Sequence, residues 1–213
     1  CMGGFVLPFA EMIGREVPPW DFRVDGVTSI SADIHKLGYA PKGVSGVLHR
    51  TKELRRYQTF VFDGWLGGFY ASPNLQGSRS GLPMASAWAV MQHLGTDGYR
   101  DLTRVTLDAA DRLRAGIAEL DRVQVLGGDA YHLIALAAAD DDDQPLDMFT
   151  LGDALAEHGW FHDRQTPPDS LHSTVSNGNA PHVDDYLDTL ESSIATVGGD
   201  RTDDRSTNYA TLE

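Results

Sequence analysis

Ser31-Ala-Asp-Ile-His-Lys-Leu-Gly-Tyr-Ala-Pro-Lys-Gly43 is the stretch on which the reading of this chain turns. Just before it, Val27-Thr-Ser-Ile30 is β-branched and apolar, the composition of a buried strand. Lys36 therefore falls at the end of a strand, on a short loop, and strand ends in α/β proteins are where ligands bind. A lysine there is a nucleophile when its amine is neutral, and burial near other cations favours the neutral form. A neutral amine beside a carbonyl cofactor makes a Schiff base. The alternative is a solvated surface charge, the commonest fate of a lysine. But the chain carries only three lysines, Lys36, Lys42 and Lys52, against fourteen arginines. Where arginine is the default cation, a retained lysine points to work arginine cannot do, such as forming an imine.

The same thirteen residues closely resemble the cofactor-lysine segment of the sphingosine-1-phosphate lyases, group II decarboxylase-like enzymes that use pyridoxal 5′-phosphate. Three further stretches match in order: Cys1-Met-Gly-Gly-Phe-Val-Leu-Pro-Phe9, Asp21-Phe-Arg-Val-Asp-Gly-Val-Thr-Ser-Ile30, and Tyr70-Ala-Ser-Pro73 followed by Gly77-Ser-Arg79. The likeness is dense to about Gly98 and thins towards residue 175. It departs from the family pattern at Ile34, Leu37 and Ser80.

The resemblance implies an α/β chain of the pyridoxal-phosphate transferase fold type I, aspartate aminotransferase-like. Residues 1–98 would be the C-terminal part of its large domain; the order of elements makes 99–197 a small α+β C-terminal domain, and the polar, acidic composition of 198–213 reads as a disordered tail. The resemblance also implies roles. Lys36 carries the cofactor, His35 donates to the cofactor phosphate, and Ser78 reaches a phosphate in the neighbouring subunit's site, hence a homodimer with shared active sites. Lys42 contacts the phosphate of the substrate. Asp33 is ambiguous; orienting the loop through backbone amides, as Asp does in turns, is favoured over catalysis. In the family an Asp that pairs with the pyridine nitrogen precedes the position of Cys1, so the chain reads as the C-terminal part of a larger enzyme.

Bulk composition narrows the function classes. A formal charge of −14 argues against nucleic acid and anionic membrane surfaces, which need basic patches. A 41% hydrophobic content suits a globular protein. One cysteine permits no internal disulfide, which fits a reducing, cytoplasmic setting. No signal peptide is visible, and the longest apolar run, Leu133–Ala139, is too short to span a bilayer. His158 and His162 stand four apart, but Gly159 breaks the helix they would share. The other histidines show no ligand spacing, so no metal is expected. The Asp140–Asp143 run reads as a solvated turn. No P-loop or dinucleotide glycine motif occurs.

Along the chain, Gly3 and Gly4 predict a close backbone approach. Val27–Ser31 and Val44–His49 read as strands. Thr51–Tyr57 reads as a short helix capped by Thr51, and Thr59–Phe62 as extended. Asp63–Gly81, rich in Gly, Ser, Asn and Pro, reads as one long loop; its Trp65, Phe69, Tyr70 and Arg79 mark it as more than spacer. A helix from Pro83 presents Met84, Ala87, Trp88 and Met91 on one face. Gly95 and Gly98 interrupt, and Tyr99–Leu120 follows with a stripe of Leu102, Val105, Ala109, Leu113, Ile117 and Leu120. The remainder reads strand (123–126), strand (132–138), helix (146–159), an extended piece (160–164) and a Pro167-Pro168 break. A strand (171–176) and a helix (182–197) close it, giving a two-layer α+β domain.

The function expected is carbon–carbon cleavage of a phosphorylated long-chain amino alcohol by a pyridoxal-phosphate lyase. The alternatives are an amino-acid decarboxylase of the same group, or a truncated remnant that only dimerises.

Overall fold

Two short strands, β1 (Ser29–Ala32) and β2 (Gly46–His49), pair antiparallel with Ile30 opposite Leu48 and Ala32 opposite Gly46. The residues between them, 33–45, are therefore the tip of a hairpin. The computed structural model describes residues 3–128, 131–139 and 145–207. The chain divides into two units, Cys1–Thr103 and Arg104–Glu213.

In the first unit, α1 (Leu7–Met12) precedes the hairpin. The fully buried strand expected before Lys36 is instead half-exposed. β1 alternates between exposed and partly buried residues, because its sheet has two strands and nothing in this unit covers the second face. After β2, α2 (Lys52–Arg55) is capped as the sequence predicts: Thr51 Oγ1 accepts from Leu54 N at 3.2 Å. The Asp63–Gly81 stretch is not wholly loop. It contains β4 (Tyr70–Ser72), which pairs antiparallel with β3 (Phe60–Phe62), Val61 opposite Ala71. A three-residue strand among glycines and prolines is too short to show its period.

Helix α3 (Leu82–Ala118) is broken at Gly95, whose φ of 57° and ψ of −174° lie outside the helical region. Gly98, the other expected interruption, stays helical. Of the apolar face predicted before the break, Ala87 is buried while Met84 and Trp88 stand exposed.

The second unit is built on a four-stranded antiparallel sheet in the order β5-β6-β8-β7. These are β5 (Val123–Val125), β6 (Leu133–Ala138), β7 (Asp163–Gln165) and β8 (Ser170–Thr174). Residues 160–164, read only as an extended piece, supply part of the edge strand β7, which pairs with β8 across the Pro167-Pro168 turn. Helices α4 (Met148–Glu157) and α5 (Val183–Val197) complete the unit. Ile134, Leu136 and Leu171 from the sheet meet Leu113 and Ile117 of α3, Phe149, Leu151 and Leu155 of α4, and Leu190 of α5 in one core. Val105, expected in the α3 stripe, is exposed, and Thr106 and Ala110 are buried in its place. Asp147 caps α4, its Oδ1 accepting from Thr150 N at 2.9 Å.

The tail after Gly198, expected to be disordered, makes side-chain contacts in its described part. Thr202 N donates to Thr150 Oγ1 at 2.7 Å, and Arg205 pairs with Asp147 at 2.6 Å and with Asp169. The Arg205 guanidinium also lies over the Phe149 ring, 4.4 Å from its centre. These arginine contacts are long-range, and no local pattern announces them. The Asp140–Asp143 run lies outside the described residues.

His132 is 3% exposed, and among the described residues neither of its ring nitrogens has a hydrogen-bond partner. Burial, then the nearby Arg114 and His172, lower its pKa to about 4. Burial likewise lowers that of His162 to about 4. Both are neutral in the folded chain, whereas a histidine in the unfolded chain protonates near its ordinary 6.5. Stability should therefore be constant above pH 6.5 and fall as the pH drops from 6.5 towards 4. The expected loss is roughly 1–3 kcal/mol per group. Urea unfolding across this range checks it, and His132→Leu should flatten the profile; a slope unchanged in that variant would refute the assignment.

Candidate functional site

The 33–45 loop leaves β1 in a tight turn. Lys36 N donates to Asp33 O at 3.4 Å, Tyr39 N to Lys36 O at 2.9 Å and Ala40 N to Ile34 O at 3.1 Å. Tyr39 adopts a left-handed φ of 59° to reverse the chain. The turn closes only because position 38 has no side chain: a Cβ on Gly38 would stand 2.5 Å from the Ile34 carbonyl oxygen. Leu37 and Ala40 face inward and are buried. Tyr99 fastens the turn from below. Its hydroxyl donates to Gly38 O at 2.8 Å, and its ring stacks on Phe9 at 4.9 Å and lies 6.5 Å from Tyr39. Burial raises the Tyr99 pKa, so the hydroxyl keeps its proton and remains a donor.

The far end of the loop is tied back by side chains. His35 Nδ1 lies 2.7 Å from Val44 O. A carbonyl oxygen only accepts, so Nδ1 carries the proton and Nε2 is left as the acceptor. Ser45 Oγ donates to Asp33 Oδ1 at 2.6 Å and lies 3.3 Å from His35 Nδ1. Lys36 Nζ lies 3.0 Å from Asp33 Oδ2. Asp33, His35, Lys36 and Ser45 thus form one cluster across the base of the hairpin. The Ser45 hydroxyl first, then Lys36, hold the Asp33 carboxyl below its ordinary range. Arg50, just past β2, steadies the approach to β1 by donating to the carbonyls of Val27, Phe22 and Val24 at 2.6, 2.9 and 2.7 Å.

The carboxylate of Asp33 stands beside Lys36, and Asp33 orients the loop through the Ser45 and Lys36 side chains. Lys42 stands exposed further along the same loop, and Ser78 and Arg79 stand exposed in the segment after β4; none of the three joins the cluster. Ser45, Arg50 and Tyr99 were not singled out from the sequence, where a serine in a turn and a tyrosine opening an amphipathic helix carry no special signal. Among the described residues no three His, Cys, Asp or Glu side chains gather as metal ligands, and no helix is long and apolar enough to cross a membrane.

Residues 9–137 match the family described as "Pyridoxal-dependent decarboxylase conserved domain". The chain is 41% identical to sphingosine-1-phosphate lyase of Arabidopsis thaliana over 92% of its own length and 35% of that protein's. Among solved structures, sphingosine-1-phosphate lyase of Burkholderia pseudomallei superposes with a TM-score of 0.83 at 34% identity, over 92% of this chain and 44% of that one. Lactobacillus brevis glutamate decarboxylase superposes with a TM-score of 0.73 at 25% identity, over 94% and 46%. The fold is that of the pyridoxal-phosphate type I enzymes. The chain spans about a third of the length of the curated relatives it matches.

Tyr99→Phe removes the donor to Gly38 O and little else. It should cost about 1 kcal/mol of stability and speed hydrogen exchange at the Ala40 amide. Unchanged unfolding together with unchanged exchange would show that Tyr99 does not hold the loop.

Proposed function

The chain belongs to the pyridoxal-dependent decarboxylase family, and from that premise we propose that it is part of a carbon–carbon lyase similar to the sphingosine-1-phosphate lyases. The reaction proposed is retro-aldol cleavage of a phosphorylated long-chain amino alcohol to an aldehyde and phosphoethanolamine. The observation that carries this reading is the hairpin tip. It presents Lys36 beside His35 on a loop fastened at both ends, with Lys42 exposed on the same loop.

Pyridoxal 5′-phosphate is the cofactor; when bound it supplies an electron sink for the pair released as the carbon–carbon bond breaks. The residues present fit it. Lys36 offers a primary amine on a side chain that is 30% exposed, and so open to approach. His35, with Nδ1 committed to Val44, keeps Nε2 for a phosphate oxygen, to which it donates once protonated. In this reading Lys36 holds the cofactor's carbonyl carbon and later moves a proton at Nζ. His35 orients the cofactor phosphate, and Lys42 receives the phosphate of the substrate.

Ser78 would act across a homodimer, in the partner's site. Support comes from the surface before it, where Trp65, Leu66, Phe69 and Tyr70 stand exposed around the β3–β4 hairpin. A cytoplasmic setting rests on the single cysteine. The rival reading, loss of CO₂ from an amino acid, is favoured by the likeness to glutamate decarboxylase, and Lys42 discriminates between the two.

In the full-length protein, borohydride reduction with cofactor bound should label Lys36, and Lys36→Ala should abolish both the label and the visible absorption band. Label on Lys42 or Lys52 would overturn the assignment. Lys42→Met should lower kcat/KM for phosphorylated long-chain amines by about thirty- to a hundredfold, the loss of a charge-assisted bond of about 2–3 kcal/mol. Robust CO₂ release from glutamate, untouched by Lys42→Met, would establish the decarboxylase instead.

A further inference from the structure

We propose that Asp33 is a positioning residue for Lys36. By pairing its Oδ2 with Lys36 Nζ at 3.0 Å, it keeps that amine protonated and held against the loop until the cofactor arrives, and so sets the pH and the rate of cofactor capture. The inference rests on Lys36 being the cofactor amine.

Three features make the pair more than a chance surface contact. The carboxylate is fixed in place: Ser45 Oγ donates to Oδ1 at 2.6 Å, which leaves Oδ2 for the lysine. Its side chain is only 15% exposed, so water screens it less than an open surface charge. The spacing is enforced by the backbone, since the turn that brings Lys36 N to Asp33 O sets the two side chains side by side. Other titratable groups on or against the loop are His35, Tyr39, Lys42 and Tyr99; His35 commits Nδ1 to Val44 O, and Tyr99 commits its hydroxyl to Gly38 O. The low-lying carboxyl of Asp33 agrees with this arrangement.

The chemistry gives the pair its consequence. Capture requires the Lys36 ammonium to release a proton to solvent. The nitrogen lone pair then attacks the aldehyde carbon, a carbon–nitrogen double bond forms, and the carbonyl oxygen leaves as water. Below the amine's pKa the rate follows the fraction of free amine. A neighbouring carboxylate lowers that fraction, and Asp33→Asn should raise it.

The test begins with protein freed of cofactor and reductively methylated with ¹³C-formaldehyde, the Lys36 resonance being assigned by its loss in Lys36→Arg. Asp33→Asn keeps an amide oxygen for Ser45 but removes the charge, and Lys36 should titrate at lower pH in it. In unmethylated protein at pH 7, borohydride-trapped incorporation of pyridoxal phosphate at Lys36 should run about three- to tenfold faster in the variant. It should converge with the parent at high pH, where both amines are free. Ser45→Ala, which loosens the carboxylate without discharging it, should move both readouts the same way by less. A Lys36 titration unmoved in both variants overturns the inference. Capture slowed by one factor at every pH also overturns it, because that is the mark of a merely structural residue. Cofactor trapped on another lysine overturns instead the assignment of Lys36, whatever its titration shows.

Discussion

The β1–β2 register constrains everything that happens at the loop. Ala32 opposite Gly46 makes residues 33–45 a closed excursion whose two ends leave from one rung of a ladder. A free loop of that length would sample many shapes, and closing it costs entropy that grows slowly with length. Here the excursion is divided into smaller closed pieces. The Ala40–Ile34 bond and Gly38 close the first turn, Tyr99 anchors it, and the His35–Val44 and Asp33–Ser45 bonds draw the return arm across the base. Lys36 therefore occupies a defined place although its side chain is part-exposed. Removing Ser45 or His35 would loosen the return arm, which carries Lys42, while leaving the first turn intact.

Perturbed titration and function part company in this molecule. The histidines pushed lowest, His132 and His162, and the tyrosine pushed highest, Tyr186, all belong to the second unit, and burial is the leading cause for each. His162 Nε2 and Tyr186 OH lie 3.0 Å apart, under the edge of the Trp160 ring. Tyr186 is buried and His162 half-buried, and their surroundings keep both neutral. At the hairpin tip the perturbation is modest and local, a carboxyl lowered by a hydroxyl and an ammonium. Strong shifts are a guide to sites only when the groups converge on an opening that holds reactive side chains; the geometry of the Lys36 loop outweighs the larger shifts elsewhere.

What the sequence made legible follows the range of the interactions. Thr51 as a cap, the pairing segments around 29–32 and 46–49, the helix ending near Gly159 and the α3 positions Ala109, Leu113 and Ile117 rest on neighbours within a turn or on a regular period, and the structure has them. The four matched motifs placed the chain in its family because several short signals stand in order. The sequence did not show that the strand before Lys36 is half of an exposed ribbon, or that β4 interrupts the glycine-rich stretch. Nor did it show that Arg205 ties the described tail to Asp147 and Asp169. Each of these depends on a partner far along the chain. The partners of Asp33 were not legible for a related reason. An Asp in a turn reads as orienting its loop through backbone amides until the position of Ser45, twelve residues on, is known.

The distribution of apolar surface separates the two units. Among the described residues every exposed large apolar side chain except Val105 and Phe161 belongs to the first unit. In the second unit one core gathers helix and sheet, and few large apolar side chains are left on the surface. In the first, the buried apolar side chains are few and mostly small: Val6, Ala10, Leu37, Ala40, Ala87 and the anchoring Tyr99. Phe60, Val61 and Phe62 of β3 are exposed in succession, so neither face of that ribbon is covered. Exposed apolar surface of this extent is uncommon on a monomeric soluble protein. Along the chain, Phe60, Val61 and Phe62 lie between the lysine hairpin and the segment with Ser78. A protein surface laid there would exclude water from the cofactor and strengthen the charge interactions of Lys36, His35 and Lys42. The local geometry of the hairpin is built into this chain; the dryness that the proposed chemistry would need depends on a surface laid over its open side.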